Sequence, residues 1–363
     1  MAKESTKLKL FLLDQTTTGG IERAVANMAN YFSEYTNYQV EIVSIFKENQ
    51  VPAYNISKNV KITFLRKDVY ELYPIFKRIL SNIHIISALW NYRTESDTII
   101  ISNLTNISDY LILFKHKHKA KIFAYEHGYH AAFGVVSQLV RKILFPYANL
   151  IITLTEREKC YFENISKNVI CIPNAVSFYP EHTANLSSKR VISAGRLVKE
   201  KGYDVLINVY KTLSEKYPDW EFVIFGSGYL QNELEVLLRN CTSNIKLFAQ
   251  TKHIEEELLK SSIYVCSSYT ESFSISIVEA MACGLPVVSF DCPTGPREII
   301  QDGIDGDLVP FGDTDLLANK IKELIEDTEK RKRYSITERE NVKRFLPEFV
   351  YKQFEYCIGV YCE

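Results

Sequence analysis

The chain has 363 residues, of which 46% are hydrophobic and 24% are charged, and its formal net charge is −1. This length allows two domains with separate cores, and the composition is that of an ordinary soluble globular protein. No stretch approaches the roughly 20 apolar residues of a membrane-spanning helix. The apolar run at residues 10–13 is too short for a signal peptide. The sequence therefore predicts a protein that is neither exported nor integral to a membrane.

The distribution of charge and the cysteines further narrow the class of protein. The first 150 residues carry 18 Lys and Arg against 12 Asp and Glu, whereas the remainder is net acidic. We therefore expect two units that face different partners. The 8 cysteines show no metal-binding spacing, so reduced and mostly buried thiols in the cytoplasm are expected. No recognisable nucleic-acid-binding motif accompanies the basic residues, which makes nucleic acid a poor partner.

Short β-branched and aromatic runs alternate with helical patterns along the chain. Near-continuous apolar strands between helices predict parallel sheets covered on both faces, as in doubly wound α/β domains. Domains are predicted at 1–173 and 189–340, with an aperiodic linker at 174–188 and a helical terminal segment at 341–363. Strands are predicted at residues 8–13, 40–46, 60–65, 98–102, 121–125, 150–154, 190–194, 221–225, 245–248, 263–266 and 286–290.

Candidate ligand contacts in the first domain follow predicted strands. Gly19 and Gly20 stand where a strand turns into a helix, and paired glycines there allow a ligand to approach the backbone. Taken alone, a plain tight turn is the better explanation of them, and the spaced glycines of a dinucleotide fingerprint are absent. His127 follows a strand end, where ligands of open α/β sheets collect. A lone histidine is more often structural, and His130 is predicted to serve an acceptor or to have no role.

The second domain offers two cations and two carboxylates. Arg196 follows a strand and Lys201 comes five residues later, a spacing that can place two positive charges against two phosphates. Glu271 lies in a loop and Glu279 on the helix after it, with Ser274 expected in that helix's first turn. If most of the intervening steps were helical, the carboxylates would be roughly 10 Å apart along the axis. That distance suits an extended ligand better than a shared proton.

These motifs resemble the donor-binding signature of retaining glycosyltransferases of the GT-B fold, specifically family 4. The resemblance covers residues 19–298, and the segment after residue 290 is similar to bacterial surface-polysaccharide enzymes. It implies two doubly wound domains facing a central cleft, the first for the acceptor and the second for the donor. The terminal helix is expected to cross back onto the first domain. The family usually has Gly where this chain has Ser272.

The resemblance also assigns roles to individual residues. It places Glu271 and His127 at the transferred sugar and Glu279 at the ribose hydroxyls. The remaining donor contacts that it implies are Gly19 and Gly20 beneath the diphosphate, Arg196 and Lys201 on the phosphates, the amides of Phe273 and Ser274, and the strand-to-helix turn at Gly226.

Asp305-Gly306-Asp307 and Asp313-Thr314-Asp315 match a metal-binding spacing, but a Gly-rich turn and a helix cap explain them better. No metal and no other cofactor is predicted.

We therefore expect a cytoplasmic glycosyltransferase that moves a hexosyl or N-acetylhexosaminyl group from a UDP-sugar to a hydroxyl of a polysaccharide or lipid-linked oligosaccharide, with retention. Capsule or O-antigen synthesis would be such a setting. A nucleotide-sugar epimerase of the same fold and a non-catalytic nucleotide-sugar-binding protein are the alternatives. Basic residues at 115–121, and mixed basic and apolar patterns at 73–89 and 136–144, suggest peripheral binding to the anionic inner face of the cell membrane. The simpler explanation of such charges is a solvated surface.

Overall fold

A computed structural model describes residues 6–66, 74–239, 241 and 244–362, with the backbone alone for residues 74–79 and 362. Of the mixed basic and apolar pattern noted at 73–89, residue 73 and the side chains of residues 74–79 lie outside the described part. The chain divides into two units. Unit 1 comprises Met1–Ser177 and Pro347–Glu363, and unit 2 comprises Phe178–Leu346.

Unit 1 contains a sheet of seven parallel strands in the order β3-β2-β1-β4-β5-β6-β7. Residues from the sheet and its helices form one apolar core that includes Phe11, Ile100 and Phe162. Its strands are β1 (Lys7–Leu12), β2 (Gln39–Ser44), β3 (Lys61–Phe64), β4 (Thr98–Ser102), β5 (Lys121–Glu126), β6 (Leu150–Thr153) and β7 (Val169–Cys171). Its first five helices are α1 (Gly20–Tyr35), α2 (Pro74–Asn91), α3 (Thr105–Leu113), α4 (Val135–Leu144) and α5 (Glu156–Glu163).

Unit 2 contains six parallel strands in the order β10-β9-β8-β11-β12-β13. The strands are β8 (Arg190–Ala194), β9 (Glu221–Phe225), β10 (Ile245–Phe248), β11 (Ile263–Cys266), β12 (Val287–Asp291) and β13 (Asp307–Pro310). The helices are α6 (Tyr203–Lys216), α7 (Gln231–Leu238), α8 (Ile254–Leu259), α9 (Ile275–Ala282), α10 (Pro296–Ile299), α11 (Thr314–Glu326) and α12 (Thr328–Asn341). The predicted class of two parallel-sheet α/β domains is confirmed.

The last helix, α13 (Pro347–Cys362), packs within unit 1. The ring centroid of Tyr351 lies 4.8 Å from that of Tyr31 on α1. Phe354 is fully buried, and its ring meets Tyr125 of β5 edge to face, with centroids 5.3 Å apart. Aromatic contacts of this kind add to the stabilisation from burial. The helix is thus held to unit 1 by side chains that project from one of its faces.

The segment that follows the unit boundary is fixed to unit 2. The amide of Ala184 donates to the carbonyl of Cys283 over 2.7 Å. The Arg339 guanidinium of α12 donates to the carbonyls of Pro180 and Ala282. Backbone groups that lack a helix or strand partner are thereby satisfied. The unit boundary falls after Ser177, inside the region predicted as a linker.

The cysteines whose side chains the structure describes are free thiols, and Cys266, Cys283, Cys292 and Cys357 are buried. Burial raises the pKa of the Cys266 thiol, which favours its protonated form. Among the described residues, no helix has both the length and the apolarity needed to cross a bilayer.

Candidate functional site

In the sheet of unit 2, the strand order reverses between β8 and β11. Strands β9 and β10 lie on one side of this pair, and β12 and β13 lie on the other. Ligands of open α/β sheets bind beyond the carboxyl ends of the strands at such a switch point. The loop after β8 carries Lys201 and the loop after β11 carries Glu271. The topology therefore brings together two residues that the sequence places 70 positions apart.

Lys201 and Glu271 form an ion pair at this point. The Lys201 Nζ lies 2.5 Å from the Glu271 Oε1, and the same oxygen accepts a hydrogen bond from the Ser268 hydroxyl over 2.6 Å. The two charged side chains are only 18% and 8% exposed, so their attraction is weakly screened by water. The cation predicted for a diphosphate and the carboxylate predicted for a sugar are thus bound to each other in this structure.

The charges around Lys201 oppose one another. Burial disfavours its ammonium form and the nearby Arg196 guanidinium does the same, but the Glu271 carboxylate and, to a smaller extent, Cys266 outweigh both and raise the pKa of Lys201. Lys201 is therefore a permanent cation at neutral pH. Arg196 is exposed on the loop after β8. The switch point of unit 2 thus holds two cations close enough to influence each other, and one of them has an internal counter-ion.

Two glycines allow these loops to approach closely. Gly202 precedes α6 with φ 61°, in the left-handed region, and a Cβ there would lie 2.3 Å from the carbonyl oxygen of Ser267. A Cβ at Gly226, after β9, would lie 2.1 Å from the carbonyl oxygen of Gly195. Real side chains do not tolerate such distances. Packing within unit 2 therefore suffices to require glycine at both positions.

The segment from Glu271 to Ser274 is fixed by a hydrogen bond to its backbone and by one buried side chain. The Thr294 hydroxyl, from the loop after β12, donates to the carbonyl of Glu271. The Phe273 side chain is 3% exposed and meets Phe345 edge to face, with ring centroids 5.4 Å apart. Since its ring lies in the core, Phe273 can offer a ligand only its backbone.

Ser274 is the residue immediately before α9, not part of the first helical turn as predicted. Its φ of 77° is the only positive value that a non-glycine residue adopts in the described part of the chain. A left-handed conformation costs an L-residue roughly 1–2 kcal/mol. Strain of this kind persists where the surrounding structure fixes the backbone, and it concentrates at functional sites.

Glu279 lies on α9 and is 2% exposed. Because α9 begins at Ile275, only the last four of the eight steps from Glu271 are helical. The helical part therefore contributes about 6 Å along the axis at ~1.5 Å per residue, which is less than the mostly helical segment predicted. The rest of the distance is spanned by the loop.

In unit 1 the glycine pair lies after β1. Gly19 is extended and precedes α1, whereas Gly20 begins the helix, where an added Cβ would meet no atom within 4 Å. Asp14 fixes the start of the loop: its Oδ1 accepts from the amide and hydroxyl of Thr16, and its Oδ2 accepts from the amide of Glu48 over 2.7 Å. The space at Gly20 is open to a ligand, since nothing in the described protein fills it.

His127 follows β5 and contacts Asn103, the residue after β4. The His127 Nε2 lies 3.2 Å from the Asn103 Oδ1. The Asn103 Nδ2 donates to the carbonyls of Phe11 and Ile101, so its Oδ1 is the acceptor and the His127 Nε2 must donate. Burial lowers the pKa of His127 to about 3. The ring is therefore neutral at physiological pH, with Nδ1 as its hydrogen-bond acceptor.

Sequence reasoning missed the partners that orient these residues. Ser268 holds Glu271 and is 2% exposed, and Asn103 holds His127 and is fully buried. Both follow a predicted strand within two residues. Their position at a strand end is the signal that could have identified them.

The aspartates with metal-binding spacing have structural partners. Asp313 caps α11 by accepting from the amide of Leu316 over 2.9 Å, as predicted. Asp307 begins β13 instead of lying in a turn, and it pairs with Lys330. Asp305 accepts from the amide of Gln301. In the described ranges, no group of three or more His, Cys, Asp or Glu could hold a metal ion.

Comparison with known proteins agrees with this architecture. Residues 178–341 match the family described as "Glycosyl transferases group 1". The chain is 23% identical to the amylovoran biosynthesis glycosyltransferase AmsD of Erwinia amylovora over 96% of this chain and 98% of that protein. It is 24% identical to a Campylobacter jejuni protein, over 92% of this chain and 93% of that one. That relative is named as an alpha-1,4-N-acetyl-D-galactosaminyltransferase acting on GalNAc-alpha-(1->4)-GalNAc-alpha-(1->3)-diNAcBac-PP-undecaprenol.

A solved structure of S. aureus TarM, a point mutant in complex with fondaparinux, alpha-GlcNAc-glycerol and UDP, superposes with a TM-score of 0.81 at 16% identity. The match covers 97% of this chain and 99% of TarM. At this identity the likeness establishes the fold alone, and the relatives by sequence supply the enzyme class. The chain is therefore a glycosyltransferase with the GT-B fold.

Proposed function

We propose that this glycosyltransferase moves a sugar from UDP to a hydroxyl of a polysaccharide or lipid-linked oligosaccharide, and that it retains the anomeric configuration as family 4 enzymes do. The observation that carries the proposal is the arrangement at the switch point of unit 2. There, Lys201 pairs with the carboxylate of Glu271, and Arg196, on the same loop after β8, is a second cation near Lys201. A diphosphate needs such a pair of cations, and a departing diphosphate needs them most as its negative charge develops.

The donor would be held by the groups around this point. Arg196 and Lys201 would bind the diphosphate, and Glu279 would bind the ribose. The backbone amides of Phe273 and Ser274, which precede α9, would bind the phosphate or the sugar, because amides at a helix start favour anions. Gly226 would allow close approach of the backbone, and Glu271 would contact the sugar. The donor contacts expected of Gly19 and Gly20, which lie in unit 1, stay predictions. The assignment of His127 to the sugar stays a prediction, and no metal is proposed.

The relatives support the substrate classes. TarM was solved with UDP bound. The names of AmsD and of the Campylobacter jejuni relative refer to amylovoran biosynthesis and to an undecaprenol-linked saccharide. Oligosaccharides carried on a lipid or in a polymer are therefore the acceptors that we propose for this chain. A hexose or an N-acetylhexosamine is the expected transferred group.

The first test is turnover of a panel of UDP-, GDP- and ADP-sugars by the purified chain, followed by NMR of the anomeric proton. We expect one α-linked UDP-sugar to be hydrolysed slowly and to give an α-linked product when a hydroxyl acceptor is added. A β product would exclude the retaining assignment. Rearrangement of the donor without transfer would indicate the epimerase, and binding of UDP without any turnover would indicate the non-catalytic alternative.

We also propose that the enzyme docks on an anionic membrane through α4. Val135, Val136, Leu139 and Ile143 are 83%, 76%, 58% and 58% exposed. At 100° per residue they form one apolar stripe, and Arg141 is buried on the opposite side. Basic residues flank this stripe. Lys142 is exposed on α4, and the Lys115 Nζ donates to the carbonyl of Tyr147, just past the helix. Apolar and basic groups together are typical of surfaces that bind acidic lipid.

Vesicle binding tests this surface. The chain should bind vesicles containing phosphatidylserine more tightly than neutral ones, and less tightly as NaCl rises from about 0.1 M to about 1 M, where the screening length falls from ~10 Å to ~3 Å. Leu139→Glu should weaken binding about tenfold, because burial of a leucine contributes about 1.5–3 kcal/mol. Val236→Glu, which changes a residue of unit 2 that is 54% exposed, is the control. Equal loss in both variants would reject α4 as the docking surface.

A further inference from the structure

A second histidine of unit 1 is held in a fixed orientation by a buried carboxylate. His130 follows β5 by four residues, and Glu158 lies on α5. The Glu158 Oε2 accepts from the His130 amide over 2.9 Å, and the Glu158 Oε1 lies 2.8 Å from the His130 Nδ1. Both oxygens of one carboxylate are thus directed at a single histidine. From the sequence, His130 is predicted only to serve an acceptor or to have no role, and the proposed function above does not use this pair.

Glu158 is well placed to act as an orienting group. It is only 3% exposed, and its amide donates to the hydroxyl of Thr155, which caps α5. Thr155 and Glu158 have the spacing of a capping box, in which the acidic side chain ordinarily returns to the start of its own helix. Here the carboxylate contacts His130. The carboxylate therefore links α5 to the loop after β5.

Two aromatic rings fix the imidazole further. The Tyr161 ring stacks on it with centroids 3.7 Å apart and an interplanar angle of 10°. The Tyr129 ring lies edge to face at 5.0 Å. With Nδ1 donating to the carboxylate, the neutral tautomer carries its lone pair on Nε2. The side chain is 20% exposed. The ring is thus pre-organised, and Nε2 is the nitrogen left to meet a ligand.

The charges around the pair select a neutral ligand. Burial raises the pKa of Glu126, the last residue of β5, and the charge of Glu158 adds to this effect, whereas Arg141 and a hydrogen bond from Thr105 oppose it. Burial likewise raises the pKa of Asp109, on α3, to about 7, with Glu126 adding to the shift. The Glu126 carboxyl group lies 3.7 Å from the fully buried Arg141 guanidinium, and both Asp109 and Glu158 are near enough to Glu126 to interact with it electrostatically. Such surroundings disfavour a phosphate and favour a hydroxyl group.

We propose that His130 binds the acceptor, with its Nε2 accepting a hydrogen bond from an acceptor hydroxyl, and that Glu158 is the positioning residue that orients it. This inference rests on the proposed transfer reaction and deepens it. A sugar acceptor offers several hydroxyl groups, and a fixed nitrogen acceptor would select which of them is presented. A histidine that only fastens the loop would use Nδ1 and its backbone amide alone.

Two substitutions at His130 separate these roles. In His130→Asn the side-chain amide can take the place of Nδ1 and keep the bond to Glu158, but nothing replaces Nε2. In His130→Gln the longer side chain can place an acceptor oxygen near the position of Nε2. His253→Asn is the matched control, because His253 also pairs with a glutamate, Glu256, but its side chain is 74% exposed.

The experiment measures transfer from the preferred UDP-sugar to a panel of octyl hexosides and, in the same reaction, hydrolysis of the donor by water. His130→Asn should raise the acceptor KM about three- to tenfold, the effect of losing one hydrogen bond. Donor hydrolysis and UDP affinity should not change, so the ratio of transfer to hydrolysis should fall. His130→Gln should recover part of that ratio, and Glu158→Gln should lower it less than His130→Asn does. His253→Asn should match the wild type.

An unchanged ratio of transfer to hydrolysis in His130→Asn would overturn the proposal. Parallel loss of hydrolysis and transfer would also overturn it, because that result indicates a purely structural role. If His130→Asn does not fold, Glu158→Gln decides the question by the same ratio. Failure of the proposed function gives a different result, since the wild type itself would then neither hydrolyse nor transfer any sugar.

Discussion

Arg196→Ala and Lys201→Ala should each weaken the binding of UDP about tenfold or more. Both remove a cation that we assign to the diphosphate, and hydrogen bonds to charged groups contribute about 1.5–3 kcal/mol, with a factor of ten for each 1.4 kcal/mol. Isothermal titration with UDP measures the effect directly. Lys199→Ala is the control, since Lys199 is an exposed lysine of the same 3₁₀ turn as Lys201. Because no metal is assigned to the phosphates, EDTA should leave these affinities unchanged.

The two substitutions should differ in their effect on stability. Lys201→Ala leaves the carboxylate of Glu271 without its cation in a site where that carboxylate is 8% exposed. Removal of one partner of a buried ion pair costs about 3–5 kcal/mol. Arg196 is exposed, so Arg196→Ala should leave the melting temperature nearly unchanged. Equal UDP affinity in Lys199→Ala, Arg196→Ala and Lys201→Ala would contradict the assignment of the diphosphate site.

Strands with buried faces could be predicted from the sequence because their apolar runs are continuous. Thr98–Ser102, Arg190–Ala194, Glu221–Phe225 and Ile263–Cys266 match the predicted bounds. Two edge strands were missed. Val169–Cys171 is a three-residue strand that is only half-buried, and Asp307–Pro310 begins with a charged residue and ends with proline. Edge strands need no apolar run, and they tolerate proline.

The candidate site was predictable residue by residue but not as a set of contacts. Motifs singled out Lys201 and Glu271 separately. Their ion pair depends on β8 and β11 being neighbours, which is a property of the strand order rather than of either motif. The pair of His130 and Glu158 depends in the same way on the pairing of β5 with β6. Local pattern identifies a residue at a strand end, but the topology decides which other strand end lies beside it.

The left-handed conformation of Ser274 had no signal in the sequence. Serine is not a residue that favours positive φ, and the expected pattern was an ordinary first helical turn. The difference arises because the chain must turn sharply between the held backbone of Glu271 and the start of α9. Departures from local preference of this kind are expected at functional sites, where tertiary contacts outweigh propensity.

Glu271→Gln should lower the rate of sugar transfer about 100-fold or more without weakening the binding of UDP. Glutamine keeps the shape of the side chain and can still accept from the Ser268 hydroxyl, but it removes the charge that pairs with Lys201. UDP lacks the transferred sugar, so it loses no contact with residue 271. Freed from its internal counter-ion, Lys201 should bind the diphosphate as well as before or several times more tightly, since binding no longer competes with the ion pair.

The rate should fall because Glu271 is expected to contact the sugar more strongly in the transition state than in the bound substrate, so that its loss slows turnover. Loss of one such electrostatic contact typically lowers the rate about 10²–10³-fold. Isothermal titration with UDP tests the expected affinity, and measured transfer rates test the expected loss of turnover. Glu200→Gln is the control, because it removes an exposed carboxylate adjacent to Lys201 in the chain. His127→Ala should likewise reduce transfer with little change in UDP affinity. Should Glu271→Gln weaken UDP binding as severely as Lys201→Ala does, then the two residues would act as one unit on the diphosphate, and Glu271 would have no separate role at the sugar.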